Sequence, residues 1–301
     1  MYWNSLNEDC RRRYGGKVYK LALSSGCSCP NRDGTLGTRG CIFCDGAGAF
    51  AETGDIPAQL AAAKARVAAK AGPDARYVAY FQSFTNTYAP ADRLRALYAA
   101  AAAPPEVVAL SVATRPDCLP EEVLALLAEQ NRVKPVWVEL GLQTIHPASA
   151  AYLRRGYDLP VFDEAVRRLT DMGIAVVVHQ ILGLPGETQA QMAETARYIG
   201  ASGAWGVKFH LLHVLRGTDL AEDWQAGRFR TLELEAYIAA LEECLRNIPR
   251  ETVVHRLTGD GAKRDLLAPL WSGDKKRVLN AIRAAFVRDD VEQGSALAPR
   301  L

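Results

Sequence analysis

Residues 26–46 constrain this chain more than any other stretch. Cys27, Cys29, Cys41 and Cys44 are strung here through a loop punctuated by Gly34, Gly37 and Gly40. Pro30 removes a backbone donor and the glycines break any regular period, so neither helix nor strand runs far. Thiolate is the form that binds metal, and several thiolates clustered without a cation repel one another strongly. A glycine-rich loop whose N–H groups are free to point at sulfur is therefore read as the wrapping of a metal centre. Two centres fit the spacing. A closed zinc site takes all four thiolates, although Cys27 and Cys29 make an awkward pair for one ion. Three cysteines with one open position suit an iron–sulfur cluster, one of whose irons is completed by a small molecule.

The rest of the chain sets the frame. Its 301 residues can bury one large core or two modest ones, and 49% hydrophobic with 23% charged residues is the balance of a soluble globular protein. No run of about 18 apolar residues is present, so no membrane span is expected. The first residues lack a basic-then-apolar leader, and four clustered cysteines among seven fit a reducing compartment, so a cytoplasmic location is expected. A net charge of +2 names no polyanionic partner by itself. Basic residues do gather near both ends, at Arg11, Arg12, Arg13, Lys17 and Lys20 and at Lys263, Arg264, Lys275, Lys276 and Arg277. They read either as solvated surface or as a phosphate-binding patch.

From residue 18 onward, strand-like and helix-like stretches alternate. Strands are expected at 18–24, 77–82, 107–113, 136–140, 174–182 and 205–212. Helices are expected at 56–71, 91–103, 121–130 and 187–202, with further helical segments ending near Met172. From about Thr231 the chain reads as helical, with a short extended piece near 252–255. Such alternation calls for parallel strands and right-handed crossovers, hence an open sheet or a barrel. No Walker loop or Gly-x-Gly-x-x-Gly follows the first strand; the cysteine loop takes that position.

Polar residues inside apolar strands give the next signal. Side chains alternate faces along a strand. Val136, Val138 and Leu140 share one face of the fourth strand, while Trp137, Glu139, Gly141 and Gln143 continue the other. Lys208 and His210 alternate with Val207, Phe209 and Leu211, and His179 sits among valines. A satisfied interior polar group would explain any one of them. Agreement across three strands points instead to a lumen with work to do, because unpaired buried polar groups are costly. Glu139, Lys208 and His210 are the candidate catalytic residues.

Cys29-x11-Cys41-Ile-Phe-Cys44 resembles the cysteine loop of radical S-adenosylmethionine (radical SAM) enzymes. Residues 29–35, Cys-Pro-Asn-Arg-Asp-Gly-Thr, resemble a bacterial subfamily of YhcC/YtqA type, related to the radical SAM subunit of Elongator and to oxygen-independent coproporphyrinogen oxidase. The resemblance spans roughly residues 20–221. It implies an α/β fold, a partial (β/α)6 TIM-like barrel over 1–230, with a helical C-terminal extension, 231–301, packed on it. It also implies a [4Fe–4S] cluster on Cys29, Cys41 and Cys44, with Cys27 outside the ligand set, and S-adenosylmethionine as second cofactor. Glu139-Leu-Gly-Leu-Gln143 and Leu153-Arg-Arg155-Gly resemble the relatives' fourth-strand region, which implies S-adenosylmethionine contacts for Gln143 and Arg155. Phe43 is placed near the adenine. His179 stands where relatives carry an acidic contact, and the segment Gln82-Ser-Phe-Thr-Asn-Thr87 replaces a Gly-Gly-Glu-like one that holds the methionine amino group. An electron donor such as flavodoxin or ferredoxin is implied as a partner. The Elongator side and the basic clusters point to tRNA, with a wobble-uridine side chain as target. In one branch of the subfamily (the MnmL type) this means trimming 5-carboxymethylaminomethyluridine to 5-aminomethyluridine. The other readings are radical chemistry on a small, porphyrinogen-like molecule, and a zinc-stabilised nucleic-acid-binding module.

Overall fold

The computed structural model describes residues 2–46, 54–259 and 263–298. Seven parallel strands form one sheet: β1 (Val18–Leu23), β2 (Arg76–Phe81), β3 (Val107–Thr114), β4 (Val136–Gln143), β5 (Ala175–Leu182), β6 (Gly206–Leu211) and β8 (Val253–Arg256), in that order. A separate antiparallel pair joins β7 (Val214–Leu215) to β9 (Leu266–Ala268). Both faces of the main sheet are covered, which is why strands such as β3 and β5 read as nearly continuous apolar runs. Outward residues, among them Leu21, Phe81, Val112, Leu140, Val178 and Phe209, pack into the large core beneath the crossover helices. Those helices include α2 (Ile56–Val67), α3 (Ala91–Ala102), α4 (Glu121–Val133), α6 (Leu159–Asp171) and α7 (Gln189–Ala201), with the short α5 (Pro147–Tyr152) after β4. Their starts follow local chemistry: Asp55 caps α2 with Pro57 behind it, and Thr188 forms a capping box with Gln191 at α7.

The sheet is curled. Lys208 on β6 has its Nζ 3.1 Å from Tyr80 Oη on β2, four strands away in the order. In a flat sheet, strands four apart stand about 19 Å from one another. Curling makes a half-barrel with an inward face, and α1 (Leu6–Tyr14) closes its floor. Leu6, Cys10 and Tyr14 of that helix meet Val78, Ala109, Trp137, Val177 and Trp205.

Two expectations change. The barrel has seven strands, because the short extended piece expected near 252–255 is β8, bonded in parallel to β6. The crossover to it is α9 (Leu234–Arg246), which packs on α7 and β5, so residues beyond 230 build part of the barrel sheet itself. The helix α8 (Asp219–Gln225) and α10 (Lys275–Arg288) complete the chain. Among the described residues no helix is long and apolar enough to cross a membrane.

Candidate active site

The cysteine loop leaves the C-terminal end of β1 and is folded by its own backbone. Arg32 N and Asp33 N donate to Cys29 O, Leu36 N and Gly37 N to Pro30 O, Gly40 N to Asn31 O at 2.7 Å, and Cys44 N to Cys41 O at 3.0 Å. Arg32 runs through the middle. Its guanidinium donates to Cys44 O and lies so close to Gly40 that a Cβ there would stand 2.8 Å from Arg32 Cζ; with φ +76 besides, only glycine fits. The loop is then pinned to the barrel mouth. Ile42 N donates to Leu153 O, Leu220 N donates to Ile42 O, and Arg39 and Arg154 both pair with Asp219. Ile42 and Phe43 join an apolar cluster with Leu153, Leu184, Leu212, Leu220 and Ala268. Phe43 is thus half-buried beside the cysteines.

Cys29, Cys41 and Cys44 are all half-buried on this loop and feel one another electrostatically. Burial first, and then the neighbouring Cys44 and Cys29 thiols, push the Cys41 thiol up to about 11, partly opposed by Asn31 and Arg115. Asn31 Nδ2 stands 3.4 Å from Cys41 Sγ while donating to Arg154 O at 2.7 Å. A cationic centre beside Cys41 would favour its thiolate. Among the described residues no three His, Cys, Asp or Glu side chains converge on a point where one metal ion could sit. Three neighbouring thiols suit a cluster, in which each binds a different iron. Cys27 lies in the main apolar core, apart from that set.

Two neighbours of this loop were not legible beforehand. Arg115, from the Thr114-Arg-Pro-Asp117 segment after β3, is held by both oxygens of Asp117 at 2.7 and 2.9 Å and acts on Cys29 and Cys41. Cys118, which reads in the sequence as a scattered cysteine, lies near enough to Cys29 to feel its charge; burial first, then Asp117, pushes it up to about 12.

At the rim, Gln143 closes β4 in a left-handed conformation, φ +65, at a bulge. Its amide folds back over Gly141, where a Cβ would meet it at 2.5 Å. Phe84 and Arg154 are also left-handed, and both border the cysteine loop, Phe84 beneath the Arg32 guanidinium and Arg154 through its carbonyl to Asn31. Such strain concentrates at functional sites. Arg155 is buried and donates to the carbonyls of Leu142, Thr144 and Tyr157, so it braces the turn after β4. In the segment after β2, Asn86 Nδ2 bonds Phe81 O and Ala113 O, and Thr87 bonds Thr114 and Cys118 O. Those two are structural, and Gln82, half-buried at the strand end, continues the lumen-facing alternation after Tyr80.

Inside the lumen the polar residues meet. Glu139 is fully buried, and its Oε1 accepts from Lys20 Nζ at 2.8 Å and Ser111 Oγ at 2.5 Å. Its Oε2 accepts from His179 Nε2 at 2.8 Å and from Lys208 Nζ. Burial alone would raise this carboxyl, yet Lys20 and Lys208 hold it well below the usual range. Burial, then Lys208, lowers His179 to about 4, and burial lowers His210 and Lys208 well below their ordinary values. The His179 and His210 rings stand 4.9 Å apart, and His210 Nε2 is buried without a partner. The lumen floor is a cluster of Trp137, Trp205 and His255, with His255 meeting both indoles edge to face.

The structure therefore brings Glu139, His179, Lys208 and His210 together, while Gln82, Gln143, Phe43 and the cysteines stand above them at the mouth. Lys20, grouped in the sequence with a surface patch, belongs to the lumen. Arg13 lies 4.8 Å over Trp205 and pairs with Asp9, on the closed floor. The N-terminal basic cluster is thus at the opposite end from the cysteines. Lys275, Lys276 and Arg277 are exposed at the start of α10, next to the turn after β9 at the open end.

A family model described as the radical SAM superfamily matches residues 34–199, and a radical SAM C-terminal domain matches 204–288. The uncharacterized protein YtqA of Bacillus subtilis is 43% identical over 97% of this chain and 92% of its own length. A tRNA uridine(34) acetyltransferase of Methanocaldococcus jannaschii is 27% identical over 51% of this chain and 28% of its own. The structure of Methanocaldococcus infernus Elp3 lacking its N-terminus superposes with a TM-score of 0.71 at 17% identity. It covers 92% of this chain, which spans 64% of that one, and so shows a shared fold.

Proposed function

Because this chain belongs to the radical SAM superfamily, whose members use a [4Fe–4S] cluster and S-adenosylmethionine, we propose that it modifies a wobble-uridine side chain in tRNA by hydrogen abstraction. The observation that carries the chemical part is the braced loop of three thiols at the mouth of a half-barrel whose lumen is polar. Cys29, Cys41 and Cys44 would hold the cluster, leaving one iron for S-adenosylmethionine. Bound there, the two cofactors supply a 5′-deoxyadenosyl radical, the agent that takes hydrogen from substrate. The chain's own residues do the rest. Gln82, Gln143 and Phe43 stand where they would orient S-adenosylmethionine, and Arg155 keeps the β4 turn in place beneath it. Glu139, Lys208, His179 and His210 face the substrate, and the Trp-lined floor excludes water from the reacting atoms. A flavodoxin or ferredoxin would deliver the electron.

The tRNA part is supported by the name of the M. jannaschii relative, the Elp3 fold and the basic residues at the open end of the barrel. A base inside structured RNA must be splayed out to be reached, and an anticodon loop makes that cheap. The specific reaction proposed is conversion of 5-carboxymethylaminomethyluridine to 5-aminomethyluridine. Hydrogen would be taken from the carboxymethyl carbon, and a second electron would pass to the flavodoxin or ferredoxin partner. Water would cleave the resulting imine, releasing the two-carbon unit as glyoxylate. Nucleoside analysis of tRNA from a strain lacking the gene tests it. The carboxymethylaminomethyl form should accumulate at the expense of the aminomethyl form. Unchanged nucleosides would turn the assignment toward a small-molecule substrate.

A further inference from the structure

We propose that the lumen is a receiving site for a carboxylate carried by the substrate, with Lys20 and Lys208 as the groups that take it. The inference rests on the preceding section only in treating the lumen as the substrate site.

Charge balance leads to it. Glu139 lies between two lysine side chains, Lys20 and Lys208. His179 and His210 are neutral at pH 7, as their lowered values require. Two lysines thus share one carboxylate, and burial lowers Lys208 well below its ordinary value because Glu139 alone does not offset it. A substrate monoanion supplies the second negative charge that the two lysines lack. A phosphate dianion would overshoot and face Glu139 across the same lysines.

Geometry agrees. Glu139 and the Lys208 side chain are 0% and 3% exposed, whereas Lys20 and His179 are 23% and 19% exposed, so the approach lies on the Lys20–His179 side. Tyr80 and Trp137 flank Lys20 at 4.8 and 5.5 Å, and Tyr80 also lies 4.4 Å from Lys208 Nζ. The ammonium groups are fixed in direction by these rings and by Glu139, so little ordering remains when the anion enters. Each ammonium carries three donors; Glu139 takes one from Lys20, and Glu139 and Tyr80 take one each from Lys208. His210 Nε2, buried and without a partner, offers a further contact in the same space.

The test uses the cluster-reconstituted protein with S-adenosylmethionine present and no reductant, so that the cofactor's own carboxylate site is filled. Saturation-transfer NMR is recorded with N-acetylglycine and with its methyl ester. A saturable signal is expected for the acid and none for the ester. Lys20→Met should weaken the acid roughly tenfold or more, the size of a lost charged hydrogen bond, and Lys20→Arg should restore it. In parallel, anisotropy compares anticodon stem-loops bearing 5-carboxymethylaminomethyluridine or its methyl ester, with the preference for the acid lost in Lys20→Met. Equal signals from acid and ester, or an undiminished preference in Lys20→Met folded by circular dichroism, would overturn the carboxylate site. Failure of either RNA to bind, with the N-acetylglycine preference intact, would remove the tRNA reading and leave the carboxylate site standing.

Discussion

Glu139 organises the lumen by keeping its charge where burial would remove it, and the imidazoles around it do the reverse. His179 is lowered to about 4, and His210 and His255 fall well below 6.5, in each case through burial first. In the unfolded chain all three titrate near 6.5, so between the two values the unfolded state binds more protons. Stability is therefore complete above pH 6.5 and is lost as pH falls from there toward 4. Urea unfolding of the metal-free chain should show a steep loss between pH 7 and 5, up to about 1.4 kcal/mol per pH unit for each histidine. His179→Gln should flatten that slope by about one proton; an unchanged slope would mean that His179 titrates normally. Glu139, His179, Lys208 and His210 were legible because a polar side chain inside an apolar strand stands out. Lys20 and Ser111 were not. Lys20 follows a basic run and reads as surface, and only the curl of the sheet carries β1 across to β4.

Among the elements, the six longer strands and their crossovers follow from period and length, with ends displaced by a few residues at most. β4 outruns its expectation by continuing through Gly141 to the bulge at Gln143. The seventh strand is a different case. Four residues after a helix carry little periodic signal, and β8 exists because β6 offers it an edge and the N-terminal segment covers its other side, where Val254 N donates to Asn4 O. That seam is close. A Cβ on Gly206 would stand 2.7 Å from His255 Nε2 and 2.9 Å from Val253 O, whereas one on Gly72 would meet nothing within 4 Å. Gly206→Ala should therefore cost about 1–3 kcal/mol as an overpacked contact, read from the urea midpoint. Gly72→Ala should leave the midpoint nearly in place. Equal midpoints for the two variants would show that β8 is free to shift away.

For the whole molecule, the decisive asymmetry is between a floor sealed by α1 and a mouth holding the cysteines. The two basic clusters lie at opposite ends of that axis, which their positions near the two chain ends did not reveal. Charge reversal of Lys275, Lys276 and Arg277 should weaken tRNA binding and reduce its salt dependence between about 50 and 200 mM. Reversal of Arg11, Arg12 and Arg13 should leave both unchanged, as measured by filter binding. Equal losses from the two ends would refute the single-mouth arrangement. The central claim is that three cysteines hold a cluster with one iron open to S-adenosylmethionine. Anaerobic reconstitution of the four single alanine variants, followed by iron counting and 5′-deoxyadenosine release, tests it most directly. Cys27→Ala should keep about four irons and release 5′-deoxyadenosine, while Cys29→Ala, Cys41→Ala and Cys44→Ala should lose both. A Cys27→Ala protein as poor in iron as Cys41→Ala would contradict the account and establish a closed four-thiolate site.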